Sequence, residues 1–152
     1  MSSSKHRLEF EAKDPDFEQK VRESFSRQAA MQTNGATITR VEPGLVEIRL
    51  PYNADYTQQN GFMHGGIITS IVDSACGYAA FTLTPPHHDV LAVEFKVNLV
   101  NPARGQEFVA TGHVLKAGKN LTFCEGKVVA LAEEHPPKLI AAMLSTIMSR
   151  AL

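Results

Sequence analysis

The chain has 152 residues, 43% of them hydrophobic and 20% charged, which suits one globular domain with a core of its own. Fifteen basic against sixteen acidic residues leave a net charge of −1, without the basic face that nucleic-acid binding requires. No apolar run is long enough to span a bilayer, and the first two dozen residues lack the apolar stretch of a signal peptide. Neither nucleic acid nor a membrane is therefore expected as a partner. Cys76 and Cys124 have no CxxC spacing and fit a reduced pair in a cytoplasmic protein.

In chain order, residues 1–13 read as an N-terminal tail, frayed over Met1 to Ser4, and 14–152 as a single domain. Asp14-Pro15 reads as an N-cap followed by proline at the first helical position. Phe17, Val21, Phe25 and Ala29 then mark the apolar face of a helix that fades near Asn34-Gly35. Two alternating runs, Ala36 to Val41 and Leu45 to Leu50, flank the turn signal Glu42-Pro43-Gly44 and predict a hairpin. Pro51 to Gly61 is polar and irregular, a loop. Gly65 to about Phe81 predicts a second helix. From Val90 to Val100 the odd positions Leu91, Val93, Phe95, Val97 and Leu99 are apolar, predicting a strand with that face buried. Ala92, Glu94, Lys96 and Asn98 fall on its other, less apolar face. Glu107 to Leu115, Leu121 to Leu131 and Leu139 to Met148 continue as strands, punctuated by Gly118-Lys119-Asn120 and His135-Pro136-Pro137.

The central helix, GGIITSIVDSACGYAAF, carries one charge, Asp73. Apolar residues cover most of its circumference, so it is expected to be buried, with a sheet of about six strands curled around it. A carboxylate there either finds a hydrogen-bonding partner, as the cap of a neighbouring loop, or points into a cleft as a base or nucleophile tuned by burial. At the helix start, His64-Gly65-Gly66 offers close backbone approach and free N–H groups to an anionic oxygen. Such donors would stabilise the oxyanion formed when a carbonyl is attacked. Asp73 follows Gly65 by eight residues, about 12 Å of helical rise, too far for both to act on one atom. Chemistry using both requires a second copy of the chain, so a dimer or a dimer of dimers is expected.

Gln58-Gln59-Asn60-Gly61-Phe62-Met63-His64-Gly65-Gly66, followed by Asp73, Ala75 and Gly77, resembles the PaaI-type (phenylacetyl-CoA thioesterase-like) hotdog thioesterases. Val93-Glu94-Phe95-Lys96-Val97-Asn98 and Asn101-Pro102-Ala103 resemble that family's third strand and its exit, and the similarity runs from about Ala36 to Met148. The resemblance implies an α+β hotdog fold: an antiparallel sheet wrapped around one long helix, here with an additional N-terminal helix. It also implies sites at a homodimer interface and acyl-CoA as substrate, with coenzyme A part of that substrate and no separate cofactor. On this pattern Asp73 attacks the thioester carbonyl or activates water, and the Gly65 N–H polarises the carbonyl. His64 positions the thioester, and Gln58 binds the water or substrate. Asn60 and Gly66 lie within the same substrate-binding turn. Arg104, Lys116 and Lys119, clustered at predicted strand ends, stand where relatives meet the coenzyme A phosphates, with solvated turn residues as the plain reading. Ala92 occupies a place where relatives often carry Ser or Thr.

His87-His88 and the scattered His6, His113 and His135 give no zinc spacing, and no metal is expected. His64 has a plain reading as a helix-entry residue. Cys76 has no histidine base placed beside it and reads as core filler. Two rival functions share the fold. One is an enoyl-CoA hydratase or dehydratase, whose histidine is usually set among prolines absent here; the other is a non-catalytic acyl-CoA-binding protein.

Overall fold

In a computed structural model, which describes residues 9–152, the chain runs helix, hairpin, loop, long helix and four strands. Residues 1–8, and with them the fraying expected of Met1 to Ser4 and the position of His6, lie outside the described residues. Phe10 already packs against the core. It fills the space over Gly44 in the first hairpin, where a Cβ would come within 2.6 Å of its ring.

The N-terminal helical pattern divides in two, α1 (Phe17–Ser26) and α2 (Ala29–Asn34). Asp14 and Pro15 lie in a turn ahead of α1 rather than at its first positions. The N-cap is Asp16, and Asp14 instead accepts the Asp16 N–H at 3.0 Å within that turn. The break falls at Gln28, whose extended backbone (φ −79°, ψ 93°) sends its side chain to Ser74 on the central helix. Redirecting the chain there leaves Ala29 exposed and buries Met31 instead, so the four-residue step ends at Phe25.

Strands β1 (Thr37–Glu42) and β2 (Leu45–Pro51) form the expected hairpin. The loop after it contains a short 3₁₀ turn at Ala54–Tyr56. Helix α3 spans Gly65–Phe81, followed by β3 (His88–Leu99), β4 (Glu107–Ala117), β5 (Leu121–Ala132) and β6 (His135–Ala151). The six strands form one antiparallel sheet in the order β1-β2-β4-β5-β6-β3, with α3 across its concave face. Ile68, Ile71, Val72, Ala75, Cys76 and Ala79 on α3 are fully buried against it. The architecture is the α+β hotdog fold expected from the sequence, with its N-terminal helix pair.

The helix lies close because two strands carry glycine beneath it. Gly112 and Gly126 are direct partners in the β4–β5 ladder. A Cβ at Gly112 would sit 2.4 Å from the Ala75 backbone, and one at Gly126 would sit 2.4 Å from the Val72 side chain.

Two expected details change. His135-Pro136-Pro137 is not a break but the start of β6, and the turn is Glu133-Glu134, with Glu134 at φ +61°. The prolines, which cannot donate to a ladder, sit where the β5–β6 register shifts. In β3 a bulge between Ala92 and Glu94 leaves Val93 unpaired and reverses the alternation. Ala92, Phe95, Val97 and Leu99 oppose Ile147, Ser145, Met143 and Ala141, all buried, and directly opposed residues share a face. Ala92 therefore belongs to the helix side of the sheet, away from Glu94, Lys96 and Asn98. Leu91 is on the outer side, opposite Met148.

Candidate active site

The long α3 carries a different concavity at each end. At its N-terminus His64 is the N-cap, and its Nδ1 accepts from the Gly66 N–H at 2.9 Å. Among the described residues the Gly65 N–H meets no acceptor, while the Ile67 N–H returns to the His64 carbonyl at 3.0 Å. Of the first-turn amides expected to face an anion, Gly66's is thus occupied by His64. A Cβ on Gly65 would come within 2.5 Å of the Leu99 Cδ1, the end of an exposed side chain that can turn aside.

The segment before the helix folds back on itself. The Gln58 N–H donates to the Phe62 carbonyl at 2.8 Å, and the Gly61 N–H to the Gln58 carbonyl at 3.0 Å. Gln58 also receives the Asn60 N–H on its own Oε1. Gln58 and Gly65 line a pocket of about 430 Å³ with Phe62, Leu99 and Asn101. Asn60 is exposed at the turn and does not line it. Arg104 stands at the rim, its guanidinium 5.0 Å above the ring of Phe62.

Asp73 faces a second groove, of about 180 Å³, lined by Gln28, Ser74, Gly77, Tyr78 and Ala92 among others. Its Oδ1 is sealed from solvent and has no hydrogen-bond partner among the described residues. Burial pushes its carboxyl above the ordinary aspartate value of 3.8. The loop-cap reading of Asp73 is thereby set aside in favour of the cleft. No partner consumes its lone pairs, which a base or nucleophile needs free.

The three basic candidates do not cluster within one chain. Lys116 and Lys119 lie at the far end of β4 and in the turn beyond it, separated from Arg104 by the whole of that strand, about 35 Å of extended chain. Cys76 and Cys124 are buried free thiols, and burial pushes Cys76 up to about 12, far from a thiolate at neutral pH. Among the described residues no three His, Cys, Asp or Glu side chains converge to hold a metal ion, and no helix is long and apolar enough to cross a membrane. Missing from the sequence reading were Ser24 and Gln28. Ser24, in the last turn of α1, and Gln28, at the α1–α2 break, line the Asp73 groove, and as lone polar residues they gave no periodic signal.

Residues 60–134 match the Thioesterase superfamily. Human acyl-coenzyme A thioesterase 13 is 31% identical over 106 residues, covering 69% of this chain and 73% of that protein. The crystal structure of a thioesterase family protein from Silicibacter pomeroyi is 45% identical, with a TM-score of 0.87 over 90% of this chain and 99% of that one. The chain belongs to the thioesterase superfamily. The matched superfamily segment takes in Gly65, Asp73 and Arg104 and begins just after Gln58. The Escherichia coli PaaI protein, 18% identical with a TM-score of 0.78 over 90% of this chain and 94% of its own, shares the fold of this superfamily member. The match spans between 62% and 73% of the length of the first curated relatives.

Proposed function

We propose that this chain is an acyl-CoA thioesterase, acting as a homodimer or a dimer of homodimers with Asp73 as its catalytic carboxylate. The observation that carries the reading is Asp73, which lines a groove while its buried Oδ1 has no hydrogen-bond partner among the described residues. A free carboxylate with a raised pKa is costly to keep and suits proton abstraction near neutral pH. Asp73 supplies an electron pair, either to a proton of water or to the thioester carbonyl carbon. In the first case the water oxygen bonds to the carbonyl carbon; in the second a mixed anhydride forms on Asp73 and water then cleaves it to the free acid and the carboxylate. Either way the carbonyl oxygen becomes an oxyanion held by the Gly65 N–H, and the C–S bond breaks with coenzyme A leaving as the thiolate. Gln58 holds the water or the acyl oxygen beside Gly65. His64 fixes the turn by receiving the Gly66 N–H. Asn60 and Arg104 meet the substrate at the mouth of the Gly65 pocket, and Lys116 and Lys119 meet phosphates from a neighbouring subunit.

The two half-sites need a partner subunit. Strand β3 is an edge of the sheet, and Leu91, Val93, Phe95 and Leu99 along it are 44–54% exposed. An unpaired apolar edge invites a second strand. Its two ends touch different concavities, Leu99 the Gly65 pocket and Leu91 and Ala92 the Asp73 groove. Antiparallel pairing of β3 with its copy about a two-fold would therefore set Asp73 of one subunit opposite Gly65 of the other.

The test is release of free thiol from a panel of acyl-CoAs by wild type and Asp73→Asn. Hydrolysis by the wild type, lost by at least about a hundredfold in the variant, is the expected result. Wild-type turnover in Asp73→Asn would remove Asp73 from the mechanism. Water addition to an enoyl-CoA without thiol release would favour the hydratase, and tight binding without turnover the acyl-CoA-binding protein.

A further inference from the structure

One turn beyond Asp73, the floor of its groove is a glycine. A Cβ built on Gly77 would meet no atom within 4 Å, whereas at Gly112 and Gly126 it would strike neighbours. Glycine is a poor choice in the middle of a helix, and here no packing contact requires it. What it leaves is space, about 6 Å along the helix from Asp73. The far wall of that space comes from α1 and from Gln28 at its junction with α2. The Ser24 and Tyr78 hydroxyls are 3.3 Å apart, and the Gln28 amide donates to Ser74 at 3.3 Å. These wall groups satisfy one another, and the Asp89 carboxylate, which also lines the groove, accepts the Val90 N–H at 2.8 Å. The rings of Tyr78 and Phe81 also line the groove. Past Phe81 the surface becomes charged, with Lys20, Glu23, Arg27 and His87, a poor seat for an alkyl chain.

We propose that Gly77 is a specificity-determining residue whose missing side chain admits a compact acyl group, an aromatic ring or a short chain, while the Ser24–Tyr78 and Gln28–Ser74 wall bars long alkyl chains. The groove holds about 180 Å³, and an engineered apolar cavity of about 150 Å³ is enough to bind benzene. Aromatic walls favour a ring over an alkyl segment of equal volume. The inference rests on the thioesterase reading above and assigns its acyl subsite.

The test compares kcat/KM for benzoyl-, butanoyl- and dodecanoyl-CoA in wild type, Gly77→Ala and Gly77→Leu, with thermal melts alongside. Wild type should prefer benzoyl over dodecanoyl by at least about tenfold, as expected where excess chain has no room. Gly77→Leu should lower the benzoyl-to-butanoyl ratio by about tenfold or more through overpacking. Gly77→Ala should raise the melting temperature by about 2–4 °C, because alanine is the better helix former and its methyl meets open space. An unchanged ratio in Gly77→Leu, or equal wild-type rates on benzoyl and dodecanoyl, would overturn the proposal. Should the wild type cleave no thioester at all, the thioesterase reading fails, and calorimetry with the thioethers S-benzyl-CoA and S-ethyl-CoA still probes the subsite. Selective loss of S-benzyl-CoA affinity in Gly77→Leu supports it; no loss, or equal loss for both, refutes it.

Discussion

At Asp73 the chain holds a half-buried carboxylate whose Oδ1 is sealed from solvent with nothing to bond, an arrangement that works against folding. Its folded pKa is raised, so the penalty is absent below the unfolded value near 3.8 and grows as pH rises toward the folded value. Asp73→Asn should therefore melt higher than wild type at neutral pH, with the difference shrinking as pH falls toward 4, measured by thermal melts across pH. In the wild type, kcat/KM should fall as acid protonates Asp73, with its midpoint above 3.8. At the other half-site Gly65 is the first helical residue, after an extended His64 (φ −61°, ψ 136°). Proline fits that backbone conformation and removes the N–H, and its Cβ meets the end of the exposed Leu99 side chain, which can turn aside. Gly65→Pro should fold, and should lose about 10²–10³ in kcat if that N–H holds the oxyanion. Ala92, exposed on the helix side of β3 and lining the Asp73 groove, has room for a larger side chain. Ala92→Thr should leave the melting temperature little changed and raise turnover up to about fivefold, the worth of one hydrogen bond of about 1 kcal/mol to the attacking water. The candidate site was legible at Asp73 and Gly65 because a single charge in an apolar helix and a double glycine at its start are local signals. Gly66's amide was misjudged, since which acceptor claims an amide depends on the His64 rotamer. Ser24 and Gln28 were invisible because their role comes from tertiary contact with α3.

The elements follow the sequence where period and turn chemistry act alone. Helix α3 has the predicted bounds, and the first hairpin turns at Pro43-Gly44 as expected. The pattern misleads where tertiary packing overrides it: at Gln28, drawn out of the helix by Ser74, and at Val93, where the bulge turns the strand over. Simple alternation counts residues and cannot see an extra one, which is why Ala92 was assigned to the wrong face. The closeness of α3 to the sheet rests on Gly112 and Gly126, whose mid-strand placement was a usable sign of close backbone approach. Gly112→Ala would press a methyl against the helix backbone and should cost about 3 kcal/mol or more, read by chemical denaturation; Gly126→Ala meets side-chain atoms and should cost less. The N-terminal helix is fastened by Lys20, whose ammonium bonds Asp14 at 3.0 Å and the Thr84 carbonyl and hydroxyl at 3.2 Å, and lies 4.8 Å from the Phe81 ring centre. The Lys20 hydrogen bond, with the Asp16 N–H, holds the Asp14 carboxyl below its usual range. That contribution is present above pH 3.8 and lost as pH falls through the lowered folded value. Lys20→Met should lower the melting temperature at neutral pH by about 3–6 °C, with less effect in acid.

At the scale of the whole molecule, one chain presents the two halves of the proposed site apart from each other. Asp73 and Gly65 lie two turns apart on one helix and open into separate concavities. The exposed apolar edge of β3 runs between them, so a two-fold partner would complete both sites at once. The buried helix, the wrapped sheet and membership of the thioesterase superfamily account for what the fold protects, and the pairing of half-sites accounts for how it would act. Subunit complementation tests this most directly. Asp73→Asn and Gly65→Pro homodimers should each be nearly inactive in thiol release from an acyl-CoA. Mixed by co-refolding in equal amounts, half of the dimers should pair one variant with the other, and each such dimer holds one site with both Asp73 and Gly65 intact. The account predicts recovery to about a quarter of wild-type activity, as a two-fold interface with shared sites requires. A mixture that stays as inactive as its parents, although mixed dimers are shown to have formed, would contradict it.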